Sequence, residues 1–410
     1  MEQALLGVHV LLESQRGNVT LDIRPMPIHS RFFITGVEAV CCLGDDLDSI
    51  MGRIRAGECG LKALTDFGLP SKRGGWASNR KRMLHQRYGP ASALAVDVAQ
   101  RAVTERGWSR EDLAEACVFA GSSRGNAAGW FDTWPGRKRR KIYAASNNLH
   151  SEIAAAVSIE LGIRGASHLL SNGCASGLDA LGMAMLHLRH GLAKRAVVVS
   201  VDLPLSPSLL ASFAESGLLS ANDVNDPYSP RTSGFFPAEA GVALLIESSA
   251  KRPAEAWCEM AGYWTTSDAY DPIGAEPKGE GIIRCLKNVI RAFPEYRIAA
   301  ICPHANGTPA QAAAERAALT AAFPTLMNRP SLHLLKTFTG HSLGASGALE
   351  TAILAHSMRA ALLPANLPNL TEPAKGFALP STTLKLSKKE LVLNLSVAMG
   401  GHNAVAAMLR

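Results

Sequence analysis

The stretch GASHLLSNGCASGLDALGMAMLHLRHGLAKRAVVVSVD, residues 165–202, decides the fold that we expect for this chain. It predicts a strand, a sharp turn, a helix and a second strand in succession. After the turn, apolar residues recur at three- and four-residue spacing, as on a helix with one buried face: Leu178, Leu181, Met185 and Leu188. Gly191 is placed to end that helix, and residues 195–199 are typical of a buried strand.

Cys174 lies in this unit where the first strand turns into the N-terminus of the helix. Free backbone N–H groups and the positive end of the helix dipole lower the pKa of a thiol at such a place, which favours the nucleophilic thiolate. Small neighbours, from Gly173 to Gly177, leave room for a molecule to approach the sulfur. The alternative is that Cys174, like most cysteines, is a small buried apolar residue.

The composition is that of an α/β protein with a substantial core. The chain has 410 residues, a hydrophobic fraction of 47% and 36 glycines, which suit tight packing and close turns. No apolar run reaches transmembrane length, and the apolar stretch near the N-terminus lacks the preceding basic residues of a signal peptide. The eight cysteines show neither a CxxC pair nor regular spacing, so we expect no disulfide framework, no zinc site and a reducing cytoplasm.

Part of the net charge of +7 is concentrated in one basic run, Arg137-Lys138-Arg139-Arg140-Lys141. Such a run is most often a solvated loop. No aromatic residues interleave with it as they do in proteins that bind single-stranded nucleic acid. Docking of an acidic protein partner is the third interpretation.

Strands and helices alternate along the chain, which favours a largely parallel sheet covered on both faces. We expect an N-terminal extension over residues 1–30, a first half over 31–250, and a second half over 251–410 that repeats the order of elements. The predicted helices are 45–56, 91–105, 153–161, 281–292, 310–322 and 346–360. The predicted strands are 31–36, 116–121, 166–170, 195–199, 241–246, 257–263, 298–302, 332–336 and 391–395.

His304 and His341 share the position of Cys174, since each follows a predicted strand and precedes a predicted helix. The C-terminal ends of strands in such sheets line the crevice where ligands bind. Small residues flank both histidines, which lets a reactive group come close to the backbone. A histidine is more often a hydrogen-bonded packing residue, and Cys302 near His304 also admits a metal site, so the pattern favours a catalytic site without deciding it.

Four motifs resemble those of the elongating β-ketoacyl-acyl-carrier-protein synthases, which belong to the thiolase superfamily. They are SNGCASG (171–177), PHANGTP (303–309), KTFTGHSLGASG (336–347) and MGGHN (399–403). The likeness runs from about residue 31 to the C-terminus, and the third motif is the most specific. The resemblance implies a thiolase-like fold, in which two pseudo-equivalent halves form a layered αβαβα core.

The resemblance also implies a Cys-His-His condensing site. Cys174 would take an acyl group from an acyl carrier protein and hold it as a thioester. A malonyl-carrier protein would then lose carbon dioxide, while His304 and His341 donate hydrogen bonds to the enolate oxygen. Lys336 would orient the histidines, or it would form a plain structural ion pair.

Other residues receive roles from the same resemblance. The backbone N–H groups of Cys174 and Met399 would form the oxyanion hole, and Asn306 and Thr308 would touch the phosphopantetheine arm. The basic run 137–141 would dock the acidic carrier protein. The resemblance implies no metal, no separate cofactor, no nucleic-acid or membrane partner, and a dimer, either a homodimer or a heterodimer with a ketosynthase-like partner.

Arg124 is the most unusual departure from the family pattern, because a small or apolar residue is expected there beside the acyl pocket. Arg124 would shorten the pocket or bind a polar acyl end, which favours a specialised polyketide or polyene pathway over bulk fatty-acid elongation. The alternatives are a one-residue misalignment and a side chain turned to the dimer surface. Met399 stands where the family has a gating phenylalanine and would be a softer gate, and Asn306 replaces a typical threonine.

Rival interpretations concern activity more than fold. One is a ketosynthase-like acyltransferase or thiolase that does not carry out this condensation, although the second cysteine of biosynthetic thiolases is missing near Gly400. Another is a non-catalytic subunit that binds the carrier protein in a heterodimeric synthase. Such subunits have lost the cysteine, whereas this chain keeps Cys174, His304 and His341.

Overall fold

The computed structural model describes residues 31–65, 69–127 and 141–410, together with four two-residue strands among the first 30 residues. These short strands pair Val8–His9 with Arg24–Pro25 and Leu12–Glu13 with Thr20–Leu21. The rest of the expected N-terminal extension lies outside the described residues.

Ten strands in the described part of the chain form one mixed sheet. In chain order they are β1 (Arg31–Cys41), β2 (Ala116–Gly121), β3 (Ser167–Leu170), β4 (Arg195–Asp202), β5 (Ala240–Ser249), β6 (Cys258–Ser267), β7 (Arg297–Cys302), β8 (Ser331–Leu332), β9 (Glu390–Ala398) and β10 (His402–Leu409). Besides the two short pairs near the N-terminus, two further antiparallel pairs lie outside it in the described chain, Lys62–Leu64 with Leu69–Gly74 and Leu362–Leu363 with Leu384–Lys385.

The two halves of the sheet repeat one strand order. The first half runs β3-β2-β4-β5-β1 and the second runs β8-β7-β9-β10-β6, which is the same order in each set of five. The halves meet where β1 pairs with the first residues of β6 over Cys258–Met260. This repetition is the pseudo-equivalence that the family resemblance implies.

The expectation of a largely parallel sheet is wrong. Within the described chain, β2 pairs in parallel with β3 and β4, and β7 with β8 and β9. The other neighbours are antiparallel: β4 with β5, β5 with β1, β1 with β6, β6 with β10 and β10 with β9. Only residues 399–401 join β9 to β10, and so short a connection cannot make the crossover that parallel strands need.

Helices cover both faces of each half-sheet. In chain order they are α1 (Leu47–Arg55), α2 (Pro90–Arg106), α3 (Arg110–Ala114), α4 (Ala144–Asn147), α5 (Glu152–Leu161), α6 (Ser176–Arg189), α7 (Pro207–Glu215), α8 (Glu280–Ala292), α9 (Pro309–Ala322), α10 (Lys336–Thr339) and α11 (Ser346–Arg359). The apolar faces of α2 and α5 pack on the first half, those of α8 and α9 on the second, and α6 and α11 lie between the halves. The layered αβαβα core is therefore confirmed.

Helices α6 and α11 approach each other closely because small residues face the contact. A Cβ atom added to Gly177 would lie 2.8 Å from the Gly344 carbonyl oxygen, and one added to Gly347 would lie 2.7 Å from Leu178 Cγ. Cys174 lies in the turn before α6, and His341 lies five residues before the start of α11. Close packing of the helices therefore brings the two side chains together.

The chain leaves the sheet earlier than predicted before His341. Strand β8 covers only Ser331–Leu332, and Lys336 opens the short helix α10. The His333 backbone N–H still donates to Ile301 of β7 at 3.0 Å, but the Leu334 N–H donates to the Asn366 side chain at 2.7 Å instead of to the sheet. Helix α7 was not predicted, although Pro207 at its start is a common first residue of helices.

None of the helices in the described ranges is both long and apolar enough to span a bilayer.

Candidate active site

Cys174 lies in the 3-10 turn Gly173–Ala175, which leads directly into α6. Gly173 adopts a left-handed φ of 55°, a conformation that glycine takes without strain. A Cβ atom added there would lie 3.1 Å from the Ala398 Cβ, so the turn packs against the end of β9. The buried thiol therefore faces the segment that carries Met399.

His304 is positioned by a buried carboxylate. The segment after β7 is held by Glu315 of α9, which accepts hydrogen bonds from the backbone N–H groups of His304 at 2.7 Å and Ala305 at 3.0 Å. The Tyr228 hydroxyl donates to the same carboxylate at 2.9 Å. Glu315 thus fixes the backbone of His304, and the backbone sets the position of the imidazole.

His341 is placed by its two ring nitrogens as well as by its backbone. The backbone N–H of His341 donates a hydrogen bond to the Phe236 carbonyl oxygen at 2.7 Å. The ring Nδ1 lies 3.0 Å from Ser346 Oγ, and Nε2 lies 3.1 Å from Cys174 Sγ. Ser346 opens α11, so the helix that packs on α6 also orients this ring.

The structure brings the three predicted residues to one point. One donor atom from each of Cys174, His304 and His341 lies within 4.8 Å of the other two. The imidazole rings have centroids 5.2 Å apart and meet edge to face at 86°. One small carbonyl group beside the sulfur is therefore within reach of both rings.

Both histidines are neutral at physiological pH. Burial lowers the pKa of His304 well below its ordinary value, and the nearby Lys336 ammonium lowers it further. Burial also lowers the pKa of His341 well below its ordinary value, and Lys336 lowers it further. Neutral imidazole donates one hydrogen bond and accepts another, which suits stabilisation of an enolate without permanent charge.

The pKa of Cys174 shifts in the direction opposite to the expectation. Burial raises the pKa of this thiol to about 12, against the lowering effect of Lys336 and Arg124, and the Asp202 carboxylate adds to the rise. The helix N-terminus does not compensate for the loss of water around the sulfur. The resting group is therefore a thiol with an imidazole nitrogen beside it.

Lys336 forms a buried ion pair with Glu350 on α11. The Nζ and Oε1 atoms are 2.5 Å apart, and the two side chains are 5% and 2% exposed. Burial raises the pKa of Glu350 to about 7 in spite of the lysine. The sequence analysis missed Glu350, although a carboxylate within an otherwise apolar helix is a signal for a buried partner.

A cavity of about 150 Å³ opens in front of the thiol and the imidazoles. Its wall is mainly apolar and includes Phe213, Leu218, Phe235, Leu343, Val397 and Met399. Met399 is 38% exposed and lies at the edge of this cavity. The predicted polar residues Asn306 and Thr308 also line it, and the Thr308 hydroxyl donates to Asn306 Oδ1 at 3.0 Å.

Arg124 lies behind the cavity wall. Its guanidinium carbon is 5.5 Å from the centroid of the Phe213 ring, and Phe213 lines the cavity. The Arg124 backbone N–H donates to Asp202 at 2.8 Å. Its buried Nε has no hydrogen-bond partner among the described residues. A direct contact between Arg124 and the cavity is not observed, so any effect on its shape passes through Phe213.

The predicted docking run falls mostly outside the described residues. Arg137, Lys138, Arg139 and Arg140 belong to the undescribed segment 128–140. Lys141 begins the 3-10 turn Lys141–Tyr143.

The donor atoms of Cys174, His304 and His341 are of the kinds that zinc binds, and they are close enough together to share one ion. They are also the set that a condensing site needs. The sequence prediction of a metal-free site stays a prediction.

Comparison with known proteins identifies relatives over most of the chain. The family model described as beta-ketoacyl synthase, N-terminal domain, matches residues 30–251, and the one described as beta-ketoacyl synthase, C-terminal domain, matches residues 257–369. A 3-oxoacyl-[acyl-carrier-protein] synthase 1 from Haemophilus influenzae is 26% identical over 410 residues, covering 93% of this chain and 99% of the relative. A 3-oxoacyl-[acyl-carrier-protein] synthase 2 from Coxiella burnetii is 26% identical over 415 residues, covering 93% and 98%.

Solved structures share the fold. One contains a type II polyketide synthase acyl-carrier protein in complex with its ketosynthase bound to a hexaketide; the TM-score is 0.79 at 22% identity, covering 93% of this chain and 99% of the other. The ishigamide ketosynthase/chain length factor also gives a TM-score of 0.79, at 21% identity and the same coverage.

Proposed function

The chain belongs to the beta-ketoacyl synthase family and is therefore a condensing acyltransferase, and we propose that it joins a malonyl-carrier protein to an acyl group held on Cys174 with loss of carbon dioxide. One observation carries the proposal. The Sγ atom of Cys174 and the imidazoles of His304 and His341 converge within 4.8 Å beside an apolar cavity.

Loading begins with attack of Cys174 Sγ on the thioester carbonyl of an acyl-carrier protein. As the new S–C bond forms, the thiol proton passes to His341 Nε2, which lies 3.1 Å away. The bond from the carbonyl carbon to the phosphopantetheine sulfur then breaks. That sulfur takes the proton from His341 and leaves as a thiol, so the histidine returns to its neutral form.

Decarboxylation follows when the malonyl-carrier protein occupies the site. The bond between the α-carbon and the carboxylate carbon of the malonyl group breaks, and carbon dioxide leaves. The electron pair of that bond stays with the α-carbon and forms an enolate with the thioester carbonyl. The Nε2–H groups of His304 and His341 donate hydrogen bonds to the enolate oxygen. Between loading and decarboxylation His341 changes tautomer: Nδ1 gives up its proton to water, and Nε2 takes one proton from water. Ser346 Oγ, 3.0 Å from His341 Nδ1, accepts from that nitrogen before the change and donates to it afterwards.

Condensation completes the cycle. The enolate carbon attacks the acyl-Cys174 carbonyl, and the tetrahedral oxyanion receives hydrogen bonds from the backbone N–H groups of Cys174 and Met399. The bond to Sγ breaks, and the sulfur takes up one proton from water. The β-ketoacyl product remains on the carrier protein that brought the malonyl group.

Burial keeps the two imidazoles neutral, and Lys336, which is paired with Glu350, adds to that effect. Its effect on the pKa values of His304 and His341 supports this role, because an ammonium beside an imidazole opposes protonation. The lysine acts at a distance from the reacting atoms and is a positioning residue.

Arg124 supports a specialised polyketide or polyene pathway. By fixing the Phe213 ring, Arg124 keeps the cavity short and favours short acyl groups. Asn306 and Thr308 contact the phosphopantetheine arm. The polyketide ketosynthases among the structural neighbours share the fold that this pathway uses.

The assembly proposed for this chain is a dimer, either with a second copy or with a ketosynthase-like partner, that receives acyl carrier protein on the basic run 137–141. One structural neighbour contains an acyl-carrier protein and another is a ketosynthase/chain length factor, which supports both kinds of partner. We also propose that an N-terminal extension ends at residue 30 and that the first half of the fold ends at residue 250. The proposed location is the cytoplasm.

The test of this function is the covalent intermediate. The protein is incubated with a panel of acyl-carrier proteins, and the intact protein is weighed. An acyl adduct that maps to Cys174 and is lost on addition of malonyl-carrier protein supports condensation. An adduct that persists, with no new product on the carrier, supports acyl transfer alone, and no adduct with any donor contradicts the proposal.

A further inference from the structure

Asp179 is a buried carboxylate close to the nucleophile that the reaction steps above do not use. It lies in the first turn of α6, five residues after Cys174, and is 2% exposed. It accepts hydrogen bonds from Asn172 Nδ2 and from the Tyr263 hydroxyl. His402 Nε2 lies 2.9 Å from its Oδ2 and 3.0 Å from its Oδ1. A buried carboxylate with three partners fixes each of them in place.

Two of these partners flank the oxyanion hole. Asn172 belongs to the turn that precedes Cys174, and His402 is the first residue after the turn 399–401 that carries Met399. One carboxylate therefore ties together the two segments whose backbone N–H groups receive the oxyanion. The Asp268 backbone N–H holds the same turn from its other side by donating to Gly401 O at 2.8 Å.

Tyr263 anchors the carboxylate to the central sheet. It lies on β6, which pairs with β10 through Tyr263 and Ala406. A Cβ atom added to Gly182 would lie 2.2 Å from the Tyr263 ring, so α6 admits this ring only because Gly182 has no side chain. The hydroxyl thereby reaches Asp179 from the strand side.

The two imidazoles have separate supports. The backbone of His304 is held by Glu315, and the ring of His341 by Ser346. None of the hydrogen bonds of Asp179 in the described chain goes to His304 or His341. The oxyanion hole and the enolate site are thus held by different groups of residues.

We propose that Asp179 is a positioning residue that sets the separation of the Cys174 and Met399 N–H groups, by holding Asn172 and His402 on one carboxylate. The inference rests on the proposed function. Loss of Asp179 therefore impairs the steps that pass through a tetrahedral oxyanion, which are loading and condensation. Decarboxylation of the malonyl group, which relies on the imidazoles, is left largely intact.

The test compares two partial reactions in the dimeric enzyme as purified. Acyl transfer from an acyl-carrier protein to Cys174 is followed by intact mass, and carbon dioxide release from malonyl-carrier protein is followed without an acyl donor. In Asp179→Asn, loading is expected to fall by about tenfold to about a hundredfold, because a displaced oxyanion donor loses much of its stabilisation. Carbon dioxide release is expected to stay within about twofold of the wild-type rate.

Two further variants keep the inference testable if Asp179→Asn folds poorly. His402→Ala removes one partner that is 29% exposed, and Gly182→Ala displaces the Tyr263 ring. Each is expected to reduce loading selectively. In the double variant, His402→Ala is expected to add little to the loss caused by Asp179→Asn, because both substitutions remove the same contact. Glu247→Gln is the matched control, since this carboxylate binds Thr35 and Arg106 and lies opposite Arg195, at the far end of β4 from Asp202.

The outcomes separate the two proposals. If the wild-type protein neither loads an acyl group nor releases carbon dioxide, the proposed function fails. If the wild type does both and the Asp179 and His402 variants lose the two activities equally, or lose neither, the positioning role is overturned. A selective loss of loading in these variants, with Glu247→Gln unaffected, supports it.

Discussion

The Nε2 atom of His341 lies 3.1 Å from Cys174 Sγ, and burial keeps this pair as imidazole and thiol. The thiol proton therefore passes to His341 during the attack of the sulfur. A permanent thiolate, which the helix N-terminus alone would suggest, is not needed. Burial of both side chains determines this outcome, since it removes water from around the two groups.

The first prediction concerns alkylation of Cys174. Because burial raises the pKa of this thiol to about 12, the thiolate fraction increases throughout the accessible pH range. The rate of reaction with iodoacetamide is therefore expected to rise by about tenfold per pH unit between about pH 6 and about pH 9. Intact mass at timed intervals measures the rate, and Cys174→Ala corrects for labelling of other cysteines. A rate that is already constant above about pH 6 would show a standing thiolate.

The second prediction concerns the protonation of the imidazoles. The pKa values of His304 and His341 are lowered, so both rings stay neutral as the pH falls through the ordinary histidine range. Carbon dioxide release from malonyl-carrier protein by Cys174→Ala is expected to be flat from about pH 8 to about pH 6. A decline centred near the ordinary histidine pKa would count against neutral, water-excluded rings.

The third prediction concerns the ion pair of Lys336 and Glu350. Above about pH 8, where Glu350 with its pKa of about 7 is ionised, Glu350→Gln leaves the lysine buried without its counter-charge, which is expected to lower the free energy of unfolding by about 3 kcal/mol. Denaturant melts measure the loss. The exposed pair Arg284–Glu280 gives the control, because Glu280→Gln is expected to change stability little. Equal effects of the two substitutions would mean that the buried pair is not structurally important.

The fourth prediction concerns Arg124. Removing the guanidinium in Arg124→Ala releases Phe213, so longer acyl groups are expected to load at rates closer to those of the preferred donor. Arg124→Lys separates the effect of charge from that of the flat guanidinium on the ring. Competition among acyl-carrier proteins of different chain length gives the selectivity. An unchanged order of preference in Arg124→Ala would remove this residue from the account of specificity.

Hydrophobic periodicity and turn residues were sufficient to predict most of the helices and strands. The strand–turn–helix–strand unit around Cys174 is confirmed as β3, α6 and β4, because an apolar helical face and a β-branched run leave few alternatives. His304 after β7 was likewise predictable from a buried strand followed by small residues.

Other features depend on contacts between distant segments. The direction of β5 relative to β4 and β1 depends on how the long segment between β4 and β5 returns to the sheet, which no local pattern contains. The direction of β10, by contrast, follows from the short turn 399–401. The pKa of Cys174 depends on walls contributed by Phe213, Phe235 and Met399, far away in the chain. Partners such as Glu350 and Asp179 are single acidic residues on helices, and only the fold shows what they bind.

The most direct test of the central claim is the product formed from one acyl-carrier protein and one malonyl-carrier protein. Mass spectrometry of the carrier-bound groups is expected to show a β-ketoacyl chain longer than the donor by a malonyl unit less carbon dioxide, in the wild type and not in Cys174→Ala. A wild-type protein that acylates Cys174 and decarboxylates malonyl-carrier protein yet yields no such chain would contradict the claim that this site condenses them.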